Sequence, residues 1–404
     1  MKYIEGGVTA PKGFTAAGIY CGIRKNKSKL DLAVIYSEKR CAAAAVYTQN
    51  LVKGAPIIVT KENLEDGYAQ AVICNSGNAN TCNADGYGKA KIMAAATAEM
   101  LGISEKDVIV GSTGVIGQPI DVDVIVKGIN DMKGKLTTAG GADAAVAIMT
   151  TDTVEKAVAL EFELHGVPCR IGGIAKGSGM IAPNMATMLC FITSDVNIIP
   201  EALKASVDEV TKKTFNRVTV DGDTSTNDTL SVMANGMAGN KLIEAGTPDH
   251  AVFTQALYEA GVQFAKKIAG DGEGATRLLE CRVKNFKTEE GAGKIAKSVI
   301  GSSLVKAAFF GADANWGRIL CAIGYAGVPA DVEKIDVTLS SQVGEILVCK
   351  NGASVDFDED NAKKILLEKE IFIDIDMNDG GESGIAWGCD LTYDYVKING
   401  DYRT

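Results

Sequence analysis

Hydrophobic and polar positions follow a strand-like period in some stretches of the chain and a helix-like period in others. AQAVIC (69–74) is a continuous apolar run that predicts a buried strand leading into the turn-rich NSGNAN (75–80). GYGKAKIMAAATAEMLG (86–102) has helical spacing and predicts a helix that ends at Gly102. DVIVGSTGVIG (107–117) predicts a short strand that breaks into a Ser/Thr/Gly loop. Strands and helices are therefore expected to follow one another from the beginning.

Beyond residue 154 the patterns predict more strands than helices. VEKAVALEFEL (154–164) alternates like a strand, and VPCRIGGIAKG (167–177) is its predicted hairpin partner. The other predicted elements are a strand at 187–195, helices at 200–215, 249–270 and 359–370, a hairpin of 334–341 with 345–352, and strands at 370–377 and 388–398. Because strands often follow strands, a mixed or antiparallel sheet with helices outside it fits better than a parallel sheet.

Composition narrows the class of protein. A chain of 404 residues is longer than one core usually serves, so two domains or two packed halves are expected. The net charge of −10 without a Lys/Arg-rich run argues against nucleic acid or an anionic membrane as partner. No secretory signal or membrane-length apolar run is present, and the ten scattered cysteines include no CxxC pair, which favours buried, reduced thiols. These features predict a cytoplasmic protein.

Histidine is scarce, which limits the possible catalytic chemistry. The chain has two histidines, His165 in ELHGVP and His250 in GTPDH, and both are expected in surface turns. Few histidines are therefore available for a Ser-His-Asp triad or a multi-histidine metal site. A nucleophile in this chain would need a different base.

The segment GGIAKGSGMIAPNMATMLCFITSD (172–195) carries the most chemical information. Its glycine-rich first half contains a lysine, and Thr187 opens an apolar strand after Pro183. On spacing alone, a turn between two strands is the simpler interpretation. The chemical alternative is that the Thr187 hydroxyl attacks the Ala186 carbonyl, giving an ester that water opens. The new α-amine, with an unperturbed pKa of roughly 7.7–8, could then act as base for the same hydroxyl.

The run KGSGMIAPNMATML (176–189) resembles the self-processing site of the ornithine acetyltransferase family, also called the glutamate N-acetyltransferase family. The resemblance extends over almost the whole chain through eight further ordered motifs: GGVTAPKGF near the start, NSGNAN at 75–80, GSTGVIG at 111–117, MTTDT at 149–153, VTVDGDTSTNDT at 218–229, GDGEGATR at 270–277, FFGADANWGR at 309–318 and NGDYRT at the end. A set of motifs in this order is far more specific than any one of them.

The resemblance implies a set of site residues. It implies catalysis by Thr187 with an oxyanion hole at Thr113 and Gly114, self-cleavage between Ala186 and Thr187, no metal, and substrate contacts at Thr150 (or adjacent Thr151), Lys176, Thr187, Glu273, Asn399 and Thr404. A hydroxyl and a glycine N–H suit a developing oxyanion. Lys176 suits a substrate α-carboxylate, although a lone lysine is usually solvated, and chain termini are usually frayed.

Two loops invite other interpretations, which their details disfavour. GDGEGATR lacks the GK[ST] ending of a phosphate loop, and Glu273 would repel phosphate, so an ammonium ligand fits better. VDGDTSTNDT (220–229) lacks the glycine and the final glutamate of a calcium-binding EF-hand, with Thr226 and Val232 at those positions. A turn stabilised by Asp and Thr side chains is expected there.

The resemblance also implies the fold and the activity. It implies an α/β fold of the N-terminal-nucleophile (αββα) type, with two layers of mixed or antiparallel sheet between helices. The fragments 1–186 and 187–404 would stay together, with two copies of each in the assembly. The expected substrates are N-acetylornithine and glutamate, with no cofactor, and acetyl-CoA is an open alternative acetyl donor. The alternatives are a self-processing aminopeptidase or amidohydrolase of related fold and an uncut binding protein.

Overall fold

The computed structural model describes residues 1–182 and 188–401. Its strands are β1 (Lys2–Tyr3), β2 (Phe14–Ile19), β3 (Leu32–Tyr47), β4 (Tyr68–Asn75), β5 (Val108–Ser112), β6 (Lys156–Leu164), β7 (Val167–Lys176), β8 (Leu189–Ser194), β9 (Val218–Thr219), β10 (Thr229–Ala234), β11 (Leu278–Phe286), β12 (Asp336–Ser341), β13 (Gly344–Lys350), β14 (Ala353–Ser354), β15 (Glu370–Asp376) and β16 (Glu382–Cys389). Its helices are α1 (Ala55–Asn63), α2 (Gly86–Leu101), α3 (Val122–Asp131), α4 (Gly141–Ala147), α5 (Pro200–Lys213), α6 (Pro248–Gly270), α7 (Glu289–Gly301), α8 (Ser303–Phe310), α9 (Trp316–Gly324), α10 (Glu359–Leu366) and α11 (Tyr393–Asp401).

The chain forms two compact units. The first contains Met1–Gly177, Thr224–Phe264 and the described part of Pro183–Phe215, and the second contains Ser178–Ala182, Asn216–Asp223 and the described part of Ala265–Thr404. Each unit has its own mixed sheet, so the predicted α/β class with mixed strands is confirmed. None of the described helices is long and apolar enough to cross a membrane.

The first unit is built on a nine-stranded sheet in the order β1-β6-β7-β8-β10-β3-β4-β5, with β2 paired to β3. Both faces of this sheet are covered, as the alternation along β3 shows. Leu32 and Val34 belong to a core with α2 and α3, whereas Ala33 and Ile35 belong to a core with α4. Because β8 and β10 are parallel and most other pairs are antiparallel, the sheet is mixed.

The second unit is built on a seven-stranded sheet in the order β14-β13-β12-β15-β11-β16-β9. Helices α7, α9 and α10 supply apolar side chains such as Ile295, Ile323 and Leu366 to one core with strands β11, β12 and β15. The predicted hairpin of 334–341 with 345–352 is the antiparallel pair β12–β13. The helix predicted at 359–370 is shorter than expected, because Glu370 already begins β15.

One predicted strand is wrong. GCDLTYDYVKI (388–398) was expected to be extended, but β16 ends at Cys389 and α11 begins at Tyr393. The side chain of Asp390 accepts hydrogen bonds from the Thr276 and Arg277 amides at 2.8 and 3.1 Å, and these bonds end the strand. The alternation of apolar and polar residues suggested a strand with one buried face, but no residue of α11 is buried.

The local signals for helix ends were reliable. Helix α2 ends at Gly102 as predicted, in a left-handed conformation (φ 72°) whose amide bonds back to Ala98 and Glu99. The hairpin β6–β7 is also confirmed, with Lys156 opposite Ala175. The prediction of buried cysteines is wrong for Cys82 and Cys321, which are exposed.

Candidate active site

The loop after β5 contains the predicted oxyanion residues Thr113 and Gly114. Gly114 has a φ of +124°, and a Cβ there would lie 2.7 Å from the Gly77 carbonyl carbon, so only glycine fits. The Thr113 amide donates to the Asn75 carbonyl at 3.0 Å, and within the described part of the chain the Thr113 hydroxyl donates to no partner. Among the described residues, no backbone partner is found for the Gly114 N–H. One hydroxyl and one backbone amide can therefore be directed at a developing negative charge.

Lys176, the last residue of β7, lies beside this loop. Its Nζ donates a long hydrogen bond of 3.5 Å to the Thr113 Oγ1, so the hydroxyl hydrogen of Thr113 remains available to another acceptor. Lys176 is 8% exposed, and this burial lowers its pKa while the Asp152 carboxylate opposes the shift. Lys176 is therefore not a solvated surface residue, and its role as a substrate contact stays a prediction.

Asp152 connects Lys176 to the Thr150 segment. Its Oδ1 accepts from the Lys156 Nζ and from the Gly177 amide, both at 2.7 Å, and its Oδ2 accepts from the Thr150 amide at 3.0 Å. Burial alone would raise the pKa of Asp152, but Lys176 and Lys156 outweigh it and hold the pKa well below its usual range. The amides of Thr150 and of Gly177, the residue after Lys176, thus bind a common buried carboxylate.

Two of the predicted substrate contacts meet in the second unit. The Asn399 Nδ2, on α11, donates to the Glu273 Oε2 at 2.8 Å. The Glu273 amide donates to the Ser178 carbonyl at 3.0 Å, and a Cβ at Gly179 would lie 2.3 Å from the Glu273 Oε2. Glu273 is therefore a nearly buried carboxylate packed over a glycine, as the glycine-rich motifs around both residues allow.

Three of the predicted residues lie outside the described residues: Ala186 and Thr187 at the predicted cleavage site, and Thr404. The chain next to Thr187 is described from Met188 onward, where the Met188 carbonyl accepts from the Thr229 amide at 2.8 Å. Leu189 pairs with Lys176 across β7–β8. The residues that follow Thr187 are therefore anchored in the same sheet as Lys176.

Sequence reasoning missed several buried polar residues around the loop. Asp152 and Asn227 lie within quoted motifs, MTTDT and VDGDTSTNDT, but no role was assigned to them. Asp228 is 2% exposed, burial raises its pKa well above the usual range, and its Oδ2 has no hydrogen bond among the described residues. In the sequence, only their position within motifs could have marked these residues, because a sequence does not show which polar side chains become buried.

The two histidines differ in exposure. His165 is exposed in a turn, as predicted, and lies 2.8 Å from Asp249. His250 is half-buried in the first turn of α6 and contacts Ser206 at 2.9 Å, so the surface-turn prediction is wrong for it. Across the described residues, no group of three or more His, Cys, Asp or Glu side chains could hold a metal ion.

Comparison with known proteins places the chain in a family. The ArgJ family model matches residues 15–404. The arginine biosynthesis bifunctional protein ArgJ of Caldanaerobacter subterraneus is 51% identical over the full length of both chains, and that of Symbiobacterium thermophilum is 50% identical, also over both full lengths. The solved argJ chain of Bacillus halodurans is 46% identical, with a TM-score of 0.50, and the match covers 52% of this chain and 98% of that one. This chain therefore belongs to the ArgJ family.

Proposed function

We propose that the chain transfers an acetyl group from N2-acetyl-L-ornithine to L-glutamate in arginine biosynthesis, through an acetyl ester on Thr187. The observation that carries the proposal is the Thr113–Gly114 loop, where a hydroxyl and a backbone amide remain available beside the buried Lys176. Acyl transfer needs two such donors, because each half-reaction passes through a tetrahedral oxyanion. Family membership supports the same pathway.

Self-cleavage supplies the base that the two histidines do not. The Thr187 hydroxyl attacks the Ala186 carbonyl, the peptide C–N bond breaks as the ester forms, and water then hydrolyses the ester. The product amine of Thr187 is the general base for its own hydroxyl.

The transfer itself is a ping-pong exchange. The Thr187 Oγ attacks the acetyl carbonyl of acetylornithine, and its proton passes through the α-amine to the departing ornithine nitrogen. The glutamate amine then attacks the acetyl ester, and its proton returns by the same amine to the Thr187 Oγ. The Thr113 hydroxyl and the Gly114 amide stabilise both oxyanions. No bound cofactor takes part in either half.

Charged residues of each unit suit the substrates. Lys176 is a cation for the α-carboxylate that acetylornithine and glutamate share, and the Thr150 segment is tied to it through Asp152. In the second unit, Glu273 is an anion held by Asn399, and it suits the ornithine side-chain ammonium. Thr404, as a further substrate contact, and two copies of each fragment in the assembly complete the proposal.

Measurements on the purified protein test each part of the proposal. A denaturing gel should show two fragments, and light scattering should give the mass of two copies of each. Acetylglutamate formation should give parallel double-reciprocal plots with acetylornithine and glutamate. Acetate release that glutamate does not suppress would instead favour the aminopeptidase-like hydrolase. Replacement of acetylornithine by acetyl-CoA in the same assay decides whether the second donor is used.

A further inference from the structure

The side chain of Asn227 lies directly behind the oxyanion loop. Its Nδ2 donates to the Ser112 carbonyl at 3.0 Å and to the Ala79 carbonyl at 2.5 Å. Its Oδ1 accepts from the hydroxyls of Thr81 and Thr226 at 2.6 and 2.5 Å. A side-chain amide has two donor hydrogens and two acceptor lone pairs, so every one of them is used. Asn227 is thus fixed in orientation as well as in position.

The packing around Asn227 leaves no room for another side chain. Asn227 is 6% exposed, and a Cβ on Gly54 would lie 2.5 Å from its Nδ2 and 2.8 Å from its Oδ1. The Ser112 carbonyl that it holds belongs to the peptide group whose nitrogen is Thr113. A displacement of that peptide group would move the Thr113 side chain and the Gly114 amide, because both follow directly along the chain.

The same short segment also holds the chain next to the predicted nucleophile. Two residues after Asn227, the Thr229 amide donates to the Met188 carbonyl at 2.8 Å, and β8 and β10 pair in parallel from Thr229 opposite Leu189. The Thr229 hydroxyl bonds back to the Asn227 carbonyl at 3.2 Å. The Asn227 side chain therefore binds the backbone of the oxyanion loop, and Thr229 binds the residue that follows Thr187.

We propose that Asn227 is a positioning residue that sets the oxyanion donors relative to the nucleophile. It acts through Ser112 and Met188 and does not touch the substrate. This inference rests on the proposed acetyl transfer at Thr187. Its physical basis is that an oxyanion hole works only when its donors are held within about 0.5 Å of the productive geometry. A displacement of about 1 Å can cost roughly 10²-fold in rate.

The main test compares Asn227→Asp with Asn240→Asp. The first change places a carboxylate oxygen against two carbonyls without changing side-chain size. Asn240 is a matched control, because it is also 6% exposed and its Nδ2 donates to two carbonyls, those of Asn197 and Lys241. Rates are normalised to the amount of cleaved chain. Asn227→Asp should lower kcat about 10- to 100-fold with KM within about threefold, and Asn240→Asp should leave kcat within about twofold.

A double-mutant cycle with Thr113→Ala separates positioning from a general loss of stability. If Asn227 acts through the oxyanion loop, Asn227→Asp should cost much less in the Thr113→Ala background than in the wild type, because coupled sites are non-additive. Equal losses in both backgrounds, or equal kcat losses in the Asn227 and Asn240 variants, would overturn the inference. A wild type without acetyl transfer would instead refute the proposed function.

A second pair of variants tests the positioning role of Asn227 if Asn227→Asp does not fold. Thr81→Val removes one hydroxyl bond to the Asn227 Oδ1, and Thr211→Val removes a buried hydroxyl that donates to the Val207 carbonyl within helix α5. Thr81→Val should lower kcat by a few-fold more than Thr211→Val at equal loss of melting temperature. An unchanged kcat in cleaved Thr81→Val would contradict the positioning role.

Discussion

Replacement of Asp152 by Asn should destabilise the first unit and weaken substrate binding together. The Asp152 and Lys156 side chains are fully buried, and their charged atoms are 2.7 Å apart. Asparagine keeps the shape but leaves the Lys156 ammonium, and the nearby Lys176, without their shared counter-charge. Removing one partner of a buried pair typically costs about 3–5 kcal/mol. We expect that loss of unfolding free energy at pH 7.

The pH dependence has a definite sign. Because the folded-state pKa of Asp152 is depressed, its contribution to stability is complete above its unfolded pKa and is lost as pH falls through the folded value. The difference in stability between wild type and Asp152→Asn should therefore shrink as the pH falls below about 5. The loss of the carboxylate also lowers the pKa of Lys176 further, so KM for acetylornithine should rise.

Urea unfolding of wild type, Asp152→Asn, Lys156→Met and the double variant measures these energies. Lys156→Met should cost less than Asp152→Asn, because Asp152 keeps its Gly177 and Thr150 amide bonds and the nearby Lys176. The double variant should be more stable than Asp152→Asn, because it also removes the buried Lys156 ammonium whose charge Asp152 balances. A cost below about 1 kcal/mol for Asp152→Asn, or a double variant that loses the full sum of both changes, would refute this account of the pair.

Two further predictions address the site directly. Thr113→Ala should lower kcat by roughly 10²-fold with the fold intact by circular dichroism, since it removes one oxyanion donor; an unchanged kcat in cleaved protein would make 111–117 an ordinary loop. Gly179→Ala should raise KM for acetylornithine several-fold, because the new Cβ would lie 2.3 Å from the present position of the Glu273 Oε2 and would displace that carboxylate. Gly88→Ala is the control, because a Cβ on Gly88 would meet no atom within 4 Å. Equal KM values in the two variants would exclude Glu273 from substrate binding.

The sequence predicted the fold where local signals coincided with burial. Alternation along 154–177 predicted the β6–β7 hairpin, and Gly102 marked the end of α2. The strand at 388–398 failed because alternation does not reveal whether a buried face exists to receive it. The sheet order, in which β8 lies between β7 and β10, depends on long-range pairing that periodicity cannot supply.

Motifs supplied the candidate site residues, but they did not reveal the buried polar residues around them. Thr113, Gly114 and Lys176 fall together because β5 and β7 end near one another, while Glu273 and Asn399 pair in the second unit. No role was predicted for Asn227 and Asp152, because an Asn or Asp in a polar motif resembles a turn residue until its hydrogen-bond partners are known. Buried hydrogen bonding distinguishes them, and that follows only from tertiary structure.

Acetylation of Thr187 is the central claim, and mass spectrometry of the intact protein tests it most directly. Wild type mixed with acetylornithine alone should show two chains, with one added acetyl group confined to the fragment that begins at Thr187. Glutamate added afterwards should remove that acetyl and appear as acetylglutamate, and Thr187→Ala should remain one unacetylated chain. An uncut wild type, or a cut wild type that forms acetylglutamate without ever carrying an acetyl group on the Thr187 fragment, would contradict the account.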